Sequence, residues 1–561
     1  MFLIIELCLT AVCLVIAFTQ PELGESCFSR QEQRFSTFAS RRNLSVISVG
    51  LLSLVLRLAL LPILPIPQPG IHDEFSHLLL ADTLAHGRLA NPTHPMWVHF
   101  ETFHVNWHPT YTSMYFPGQG LFLALGQVVF GHPFWGVWLS AGVMCAATCW
   151  ALQQWLSPGW ALLGGFLVVL RIGTFSYWAN GYWGGAVAAI GGALVLGALP
   201  GLKHIPGTIH ALIFGAGAAL LLITRPYESL FFLAPVATAL VIWQFRDGTY
   251  PLRVWVGKVA LPISLLVLLA VFALAYYFWR VTGSPWTSPY KLNMATYGLV
   301  YFAWDKIRAI RYHHTALEVF YRGGAVLGIY RFARQHPLEL LFAKGLTIWL
   351  FFFGPILSLP VLACLAIRRV TSLSWRPIFL LSICASTFLG SALTIHVGHP
   401  HYVAPLTIVC YLVVLLSMKS VQQWQWRNRP SGVFLIRMVP ILCVLMFLVR
   451  TAVPLAGVTI RPSGIRTWCS LDRQNLRRAA VLKKLEISAG EHVVIVRYTP
   501  DHNFIDDEWV FNNADIDGSK VIWARDMGAQ NTELVQYFRE RKIWLLEPDY
   551  NPVRLSAYVQ Q

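Results

Sequence analysis

Charge is what this sequence has least of. Only 12% of its 561 residues are Asp, Glu, Lys or Arg, and 56% are hydrophobic. A water-soluble domain carries about 25% charge. A soluble enzyme of this composition is therefore excluded, and the chain reads as a polytopic membrane protein. Acids are scarcer than bases, 27 against 43, which leaves a formal charge of +16. In a soluble protein that balance would suggest nucleic acid. Here the positive-inside rule and contact with lipid phosphates account for it, so no nucleic-acid partner is expected. The ten cysteines are scattered and none forms a CxxC pair. Neither a disulfide framework nor a cysteine zinc site is indicated. No internal repeat is visible.

What is present is apolar runs. The 22 Trp and 20 Tyr fit interfacial belts on many helices. A bilayer-crossing helix needs about 20 apolar residues. Runs of that kind lie at about 44–64, 134–156, 159–176, 184–200, 208–224, 229–245, 259–279, 339–366, 377–396, 402–418 and 432–452. The stretch 116–130 is shorter and holds Pro117, Gly118, Gln119, Gly120 and Gln127; it reads as a span or a half-buried helix. Positive charge arbitrates. If 116–130 does not cross, then Arg30, Arg34, Arg41, Arg42, Lys203, the 246–258 loop, Arg368, Arg369, Arg376, Lys419, Arg427 and Arg429 all face the cytoplasm. That topology has 11 core spans. One loop breaks the rule: 280–337 falls outside yet carries Lys291, Arg308, Arg311 and five further bases. A basic outer loop suits an anionic lipid head group. Residues 1–19 are apolar but hold Glu6 and no basic start, so they make a poor signal peptide; an extra helix and a start-site artefact both stay open.

After Pro454 the hydropathy falls. Strand-like runs at 492–498, 520–524 and 543–547 alternate with helical stretches at 471–485 and 532–541. This pattern predicts a small α/β domain, placed by parity outside the cytoplasm. The organisation is thus an N-terminal segment (1–43), a membrane domain (44–452) with outer loops at 65–133 and 280–337, and a C-terminal domain (453–561).

The chosen topology gathers four polar clusters on one face. The first is His72-Asp73-Glu74, directly after the first strongly apolar helix with a basic flank. Acids this close to a bilayer cost free energy unless they have a partner or a task. The following residues, 75–88, read as a short interfacial helix. Asp73 and His77 are four apart, as are Asp82 and His86, so each pair can touch across a turn. Asp73 also reads as a plain N-cap, which leaves Glu74 and the imidazoles unexplained. The second cluster is the aromatic and histidine-rich stretch 91–108, with His104 and His108, followed by Tyr111 and Tyr115. It suits either an interfacial loop or a sugar platform. The third is 176–185, with Tyr182 and close-packing glycines. The fourth joins Arg225, able to take a phosphate bidentately or to pair with Glu228, to His396, His399 and His401. Gly and Pro between these histidines break helical spacing and no carboxylate adjoins them, so zinc is not expected there.

An acidic pair in the first outer loop, an interfacial helix, many spans and an outer soluble domain together resemble the GT-C superfamily of lipid-linked glycosyltransferases. Within it the chain is most similar to the protein mannosyltransferase and aminoarabinose transferase branch. The resemblance covers about 44–450, and its specific part is Asp73-Glu74. It implies a GT-C-like bundle of about 11–13 spans, a polyprenyl-phosphate sugar donor, an envelope acceptor (lipid, glycan or protein), a bacterial inner-membrane location and an extracytoplasmic site. It puts Asp73, and less surely Glu74, at the catalytic centre. His72, His77, Arg88, His104, His108, Tyr182, Arg225, His399 and His401 are the expected substrate-binding residues. No cofactor is expected; a divalent metal stays open. The family often has a further acid in its second outer loop, where this chain has Asn180. A multispan transporter or flippase for a lipid-linked or anionic substrate remains a competing class. It would call for repeats and for helices broken near the midplane.

Overall fold

The computed structural model describes every residue except 205–206, 247–249, 368–374, 461–465, 472–473 and 560–561. Arg368 and Arg369, two of the expected cytoplasmic bases, lie outside the described residues. Among those described, nine helices are long and apolar enough to cross a membrane. They are Phe2–Thr19, Arg42–Ala59, Phe134–Trp155, Ala186–Lys203, Pro226–Arg246, Leu252–Thr282, Trp375–Leu393, Pro400–Val421 and Ser431–Leu455. The pair Pro337–Phe352 and Gly354–Ile367, bent by 98°, makes a tenth if taken as one span. Three apolar helices are shorter: Pro117–Phe130, Pro158–Arg171 and Thr208–Thr224. The last two occupy stretches expected to span. At 1.5 Å per residue they reach about 21 and 26 Å, short of a bilayer core of about 30 Å. The chain is an integral membrane protein.

The helix Phe2–Thr19 is packed into the bundle, and Glu6 explains how. Its side chain is buried and pairs with Arg171 at 2.7 Å. Trp468 Nε1 donates to its other oxygen at 3.0 Å. The pair sits at the bend after Phe352. Arg171 Nη2 donates to the Phe353 carbonyl at 3.0 Å, and the Ile356 N–H donates to Glu6 at 3.3 Å. A broken helix leaves carbonyls free at one end and N–H groups at the other. Arg171 and Glu6 supply the matching charges. Gly354, at φ +55°, makes the turn; a Cβ there would lie 2.6 Å from Arg171 Nη2.

The bundle has two distinct ends. At one, Arg429 donates to the Thr19 carbonyl and Arg437 pairs with Glu32 at 2.8 Å. The other end carries the loop of 60–133 and the sheet domain. Helix Pro117–Phe130 starts with Gly118 against Thr224. Near its far end Gln127 Nε2 donates to Asp82 at 2.9 Å. Asp82 in turn accepts from the Ala514 N–H of the sheet domain at 2.8 Å. Both ends of Pro117–Phe130 therefore lie at the sheet-bearing end.

The C-terminal sheet has the order Val521–Arg525, His492–Val496, Lys542–Glu547, Arg554–Ala557. The first three strands are parallel, with His492 opposite both Val521 and Lys542; the last is antiparallel. His492–Val496 and Val521–Arg525 are wholly buried, as strands covered on both faces must be. Helix Leu476–Ile487 contributes Leu485 to one core; Asn475 caps it by accepting from the Arg478 N–H at 2.9 Å. On the other side Val493, Ile495 and Ile522 share a core with Leu79, Phe100, Trp107 and Tyr111 of the membrane domain. The two parts are built into one core and are not tethered loosely.

Candidate active site

Helix His72–Ala85 follows Arg42–Ala59 after the connection 60–71, and its first turn carries three ionisable side chains. Consecutive helical residues do not face the same way. Asp73 and Glu74 therefore part company. Glu74 is 1% exposed and accepts from the Gly70 and Tyr182 N–H groups, both at 2.9 Å. It braces the loop before the helix against the turn 177–183. Burial pushes its carboxyl up to about 7, against those amide donors.

Asp73 faces a cluster. The Tyr115 hydroxyl donates to Asp73 Oδ1. His104 Nδ1 lies 3.4 Å from the same oxygen, and His72 Nε2 lies 3.4 Å from the other. Burial would raise the Asp73 carboxyl, but the two imidazoles and the Tyr115 hydroxyl outweigh it and hold it well below the usual carboxylate range. Burial pushes His72 down to about 4 and His77 down to about 3, so both are neutral near pH 7. The result is a carboxylate held in its ionised form where Tyr115, His104 and His72 meet.

The neighbours are held firmly. His104 has φ +58°, a conformation strained for a residue with a Cβ. Its carbonyl accepts from Ser76 Oγ at 2.7 Å and from the Met114 N–H at 3.1 Å, and its own N–H donates to Tyr321 at 3.3 Å. The His77 ring stacks on Tyr115 at 4.2 Å. Phe320, from the basic loop, meets the His72 ring edge-on at 4.8 Å. The side chains of His72, Asp73 and His104 offer three ligand atoms within 4.8 Å of one another, the one such group among the described residues. They could hold a divalent cation. The histidines at 396, 399 and 401 form no comparable group there.

A second wall faces this cluster. His401 is 1% exposed, and its Nδ1 meets the Tyr177 hydroxyl at 2.9 Å. His399 stacks beside it at 5.4 Å, and Trp183 packs on both. Arg225 pairs with Glu228 at 3.3 Å and lies over the Tyr402 ring at 5.1 Å. Arg466, from the segment after the last membrane helix, lies over Tyr177 and Trp183 at 4.7 and 5.2 Å.

The expected site residues thus divide. His72, Asp73, His77 and His104 come together, and Arg225, His399 and His401 form the wall. Tyr182 is a brace: its N–H serves Glu74 and its hydroxyl donates to the Pro67 carbonyl at 2.8 Å. Arg88 lies past the far end of helix His72–Ala85, about 20 Å along from Asp73 at 1.5 Å per residue. His108 is exposed against Trp97. Lys291, Arg308 and Arg311 are exposed on the loop. Sequence reasoning named Tyr115 and Tyr402 only as members of their clusters, with no site role, and did not single out Phe320 or Arg466. For the two tyrosines the signal was position: Tyr115 is the last aromatic after the histidine-rich loop, and Tyr402 closes the histidine stretch 396–402.

No protein-family model and no curated protein matches the sequence. Several solved structures are similar in outline. One is an oligosaccharyltransferase of Archaeoglobus fulgidus tethered to an acceptor peptide, at TM-score 0.44 and 12% identity over 80% of this chain and 61% of that one. The chain thus spans about three fifths of that protein's length. A second is the same organism's AglB with an inhibitory peptide and a dolichol-phosphate, at 0.45 and 11% over 91% and 70%. A third is ArnT from Cupriavidus metallidurans bound to undecaprenyl phosphate, at 0.47 and 10% over 92% and 95%.

Proposed function

We propose that this protein is a membrane glycosyltransferase that moves a sugar from a polyprenyl-phosphate donor to an envelope acceptor at the sheet-bearing face. One observation carries the reading. Asp73 is an ionised carboxylate in the first turn of helix His72–Ala85, bonded by Tyr115 and flanked by His104 and His72. The acceptor hydroxyl attacks C1 of the sugar while the bond to the lipid phosphate breaks. The hydroxyl proton becomes acidic only as the new bond forms, so a weak base in contact with it suffices. Asp73 takes that proton, and His104 is close enough to receive it in turn. The leaving phosphate needs cations, and Arg225 lies across the site. A single displacement of this kind inverts the anomeric carbon. No covalent enzyme intermediate forms. Tyr115 and His104 orient Asp73, and Glu74 positions the helix start.

A transporter or flippase is the second reading, and one observation favours it: the bent helix pair at Phe353. Broken helices in transporters present free backbone groups to cargo. Here Glu6 and Arg171 occupy those groups. The test is a radiolabelled polyprenyl-phosphate sugar in membranes with the protein, without it, and with Asp73→Asn. Label should enter a new product only with the intact protein. Label that crosses the bilayer while remaining on the donor would establish the flippase instead.

A further inference from the structure

His104 stands beside Asp73 in a backbone conformation that favours glycine. At φ +58° a residue with a Cβ is strained, and such a turn persists only where its surroundings hold it. Two stacked tyrosines of the outer loop do the holding. The Tyr321 hydroxyl accepts from the His104 N–H at 3.3 Å. The Tyr297 hydroxyl donates to Glu101 Oε1 at 2.9 Å. The two rings are parallel within 9°, with centroids 5.3 Å apart. The segment 101–104 is thus gripped at both ends by one ring pair. Glu101 is buried, and a buried carboxylate without partners is costly. Its second oxygen lies 3.0 Å from His313 Nδ1, and its carbonyl accepts from Arg525 of the sheet domain at 2.7 Å. Tyr312 backs the pair: its hydroxyl donates to the Tyr297 carbonyl at 2.8 Å, and its ring stacks on Tyr321 at 6.1 Å. The grip also reaches the other histidine beside Asp73. Phe320 precedes Tyr321 on helix Thr315–Arg322, stacks on Phe103 at 4.2 Å and meets His72.

We propose that Glu101, Tyr297 and Tyr321 are positioning residues of the Asp73 site, a clamp that holds His104 in its strained turn. They act through His104, whose Nδ1 lies 3.4 Å from Asp73 and 3.1 Å from the Tyr115 hydroxyl. The part the clamp plays in a reaction rests on the glycosyltransferase reading; the clamp itself does not. The inference gives the loop 280–337 a task other than the one its charge suggests. Its bases Lys291, Arg308 and Arg311 are exposed, while its aromatic residues reach the site from behind. Once the clamp is cut, the strained turn relaxes and the His104 ring leaves Asp73. A general brace would loosen everything around it when cut, whereas a clamp loosens the segment it grips.

The test uses the purified full chain in lipid nanodiscs. Diethyl pyrocarbonate modifies histidine rings, and a buried ring reacts only as its segment opens. Mass spectrometry reads each histidine separately. Tyr297→Phe and Tyr321→Phe remove one hydroxyl each and keep the ring stack. Each should speed modification of His104 about tenfold, the scale of one hydrogen bond. His401, buried on the opposite wall, and His86, exposed at the far end of helix His72–Ala85, should keep their rates. Glu101→Ala should act at least as strongly as Tyr297→Phe. Glu101→Gln keeps an acceptor for the Tyr297 hydroxyl and should recover most of that loss. Where thermal melting shows Glu101→Ala unfolded, the two tyrosine variants decide. A radiolabelled polyprenyl-phosphate sugar then reads the reaction: kcat should fall in both tyrosine variants with the donor KM unchanged. His104 rates equal to those of the natural protein would overturn the proposal. So would equal acceleration of His401, which would mean general loosening. A faster His104 with an unchanged kcat would overturn its part in the reaction. If no form of the protein transfers label, the natural chain included, the transferase reading fails and the His104 rates still decide the clamp.

Discussion

Arg525 bonds the sheet domain to the membrane domain and pairs with a buried carboxylate of its own domain, and its removal tests how much that buried pair holds the sheet-bearing end together. Its Nε donates to the Glu101 carbonyl at 2.7 Å, and its Nη2 lies 2.8 Å from Glu508 Oε2. Arg525 is 3% exposed and Glu508 4%. Arg525→Met keeps most of the volume and removes the cation. Glu508 stays buried and loses the partner of one oxygen. Its other oxygen keeps the Tyr498 hydroxyl and the Trp509 and Val510 N–H groups. Breaking a buried pair from one side costs about 3–5 kcal/mol. The donors that remain argue for the low end, about 3 kcal/mol, or roughly a hundredfold in the folding equilibrium. Thermal melting of the full chain reads the stability. Protease cleavage between Leu455 and the sheet reads docking. Arg525→Met should melt earlier and be cut faster. Adding Glu508→Gln should recover much of the loss, because no buried charge is then left alone. A single variant as stable and as protected as the natural protein would refute the reasoning. So would a double variant worse than the single one.

The two adjacent acids should behave differently. Asp73→Asn should cut transfer by about 10²–10⁴-fold with little change in melting, whereas Glu74→Gln should lower stability by about 1–3 kcal/mol, since Gly70 and Tyr182 donate to different oxygens of Glu74 and Gln keeps only one, its NH2 being a donor. Arg171→Met should destabilise the bundle by about 3–5 kcal/mol by leaving Glu6 buried and charged, and Glu6→Gln in the same chain should restore part of it; thermal melting in detergent checks both. Acid should loosen the sheet-bearing end. Burial holds His314 at about 3, His396 at about 4 and His399 at about 3. Each takes a proton near 6.5 when unfolded, so their stability is full above about pH 6.5 and falls as pH drops toward about 4; an unchanged melting point across that window would count against it. Single cysteines at the exposed positions 286 and 501 should label from the side opposite to those at 33 and 428, measured in a background without native thiols.

The parts legible in the sequence were those whose signal is local. Spans are contiguous runs, so their existence could be read even where two helices proved short. The alternation after Pro454 was local too, and three of the four strands and both longer helices of the sheet domain lie where it put them. Asp73 stood out because an acid next to a membrane helix is costly. Its partners did not. Tyr115 is 42 residues away and His104 is 31, and only a two-residue ladder between Val105–Asn106 and Thr112–Ser113 turns the loop back onto helix His72–Ala85. Glu74 looked like a twin of Asp73 because adjacency in sequence was taken for adjacency in space. On a helix, consecutive side chains point about 100° apart, and here one faces rings while the other faces backbone amides. The expected pairing of Asp73 with His77 met the same limit. The spacing is right, but Tyr115 comes between, bonded to one and stacked on the other.

Glu6 is the sharper case. In an isolated apolar helix it reads as a flaw, and it left the first 19 residues without an assignment. Its partner Arg171 is 165 residues on. The need for both arises only at a third place, the bend after Phe352, which no hydropathy window reveals. A charge in an apolar run is therefore informative about tertiary structure in proportion to its cost. The chain keeps Glu6 buried because the broken helix offers an N–H end to meet it and Arg171 closes the circuit. The same reasoning applies to the wall of rings opposite Asp73. Arg225, half-buried at a helix end, is met there by the Glu228 carboxylate at 3.3 Å and by the face of the Tyr402 ring.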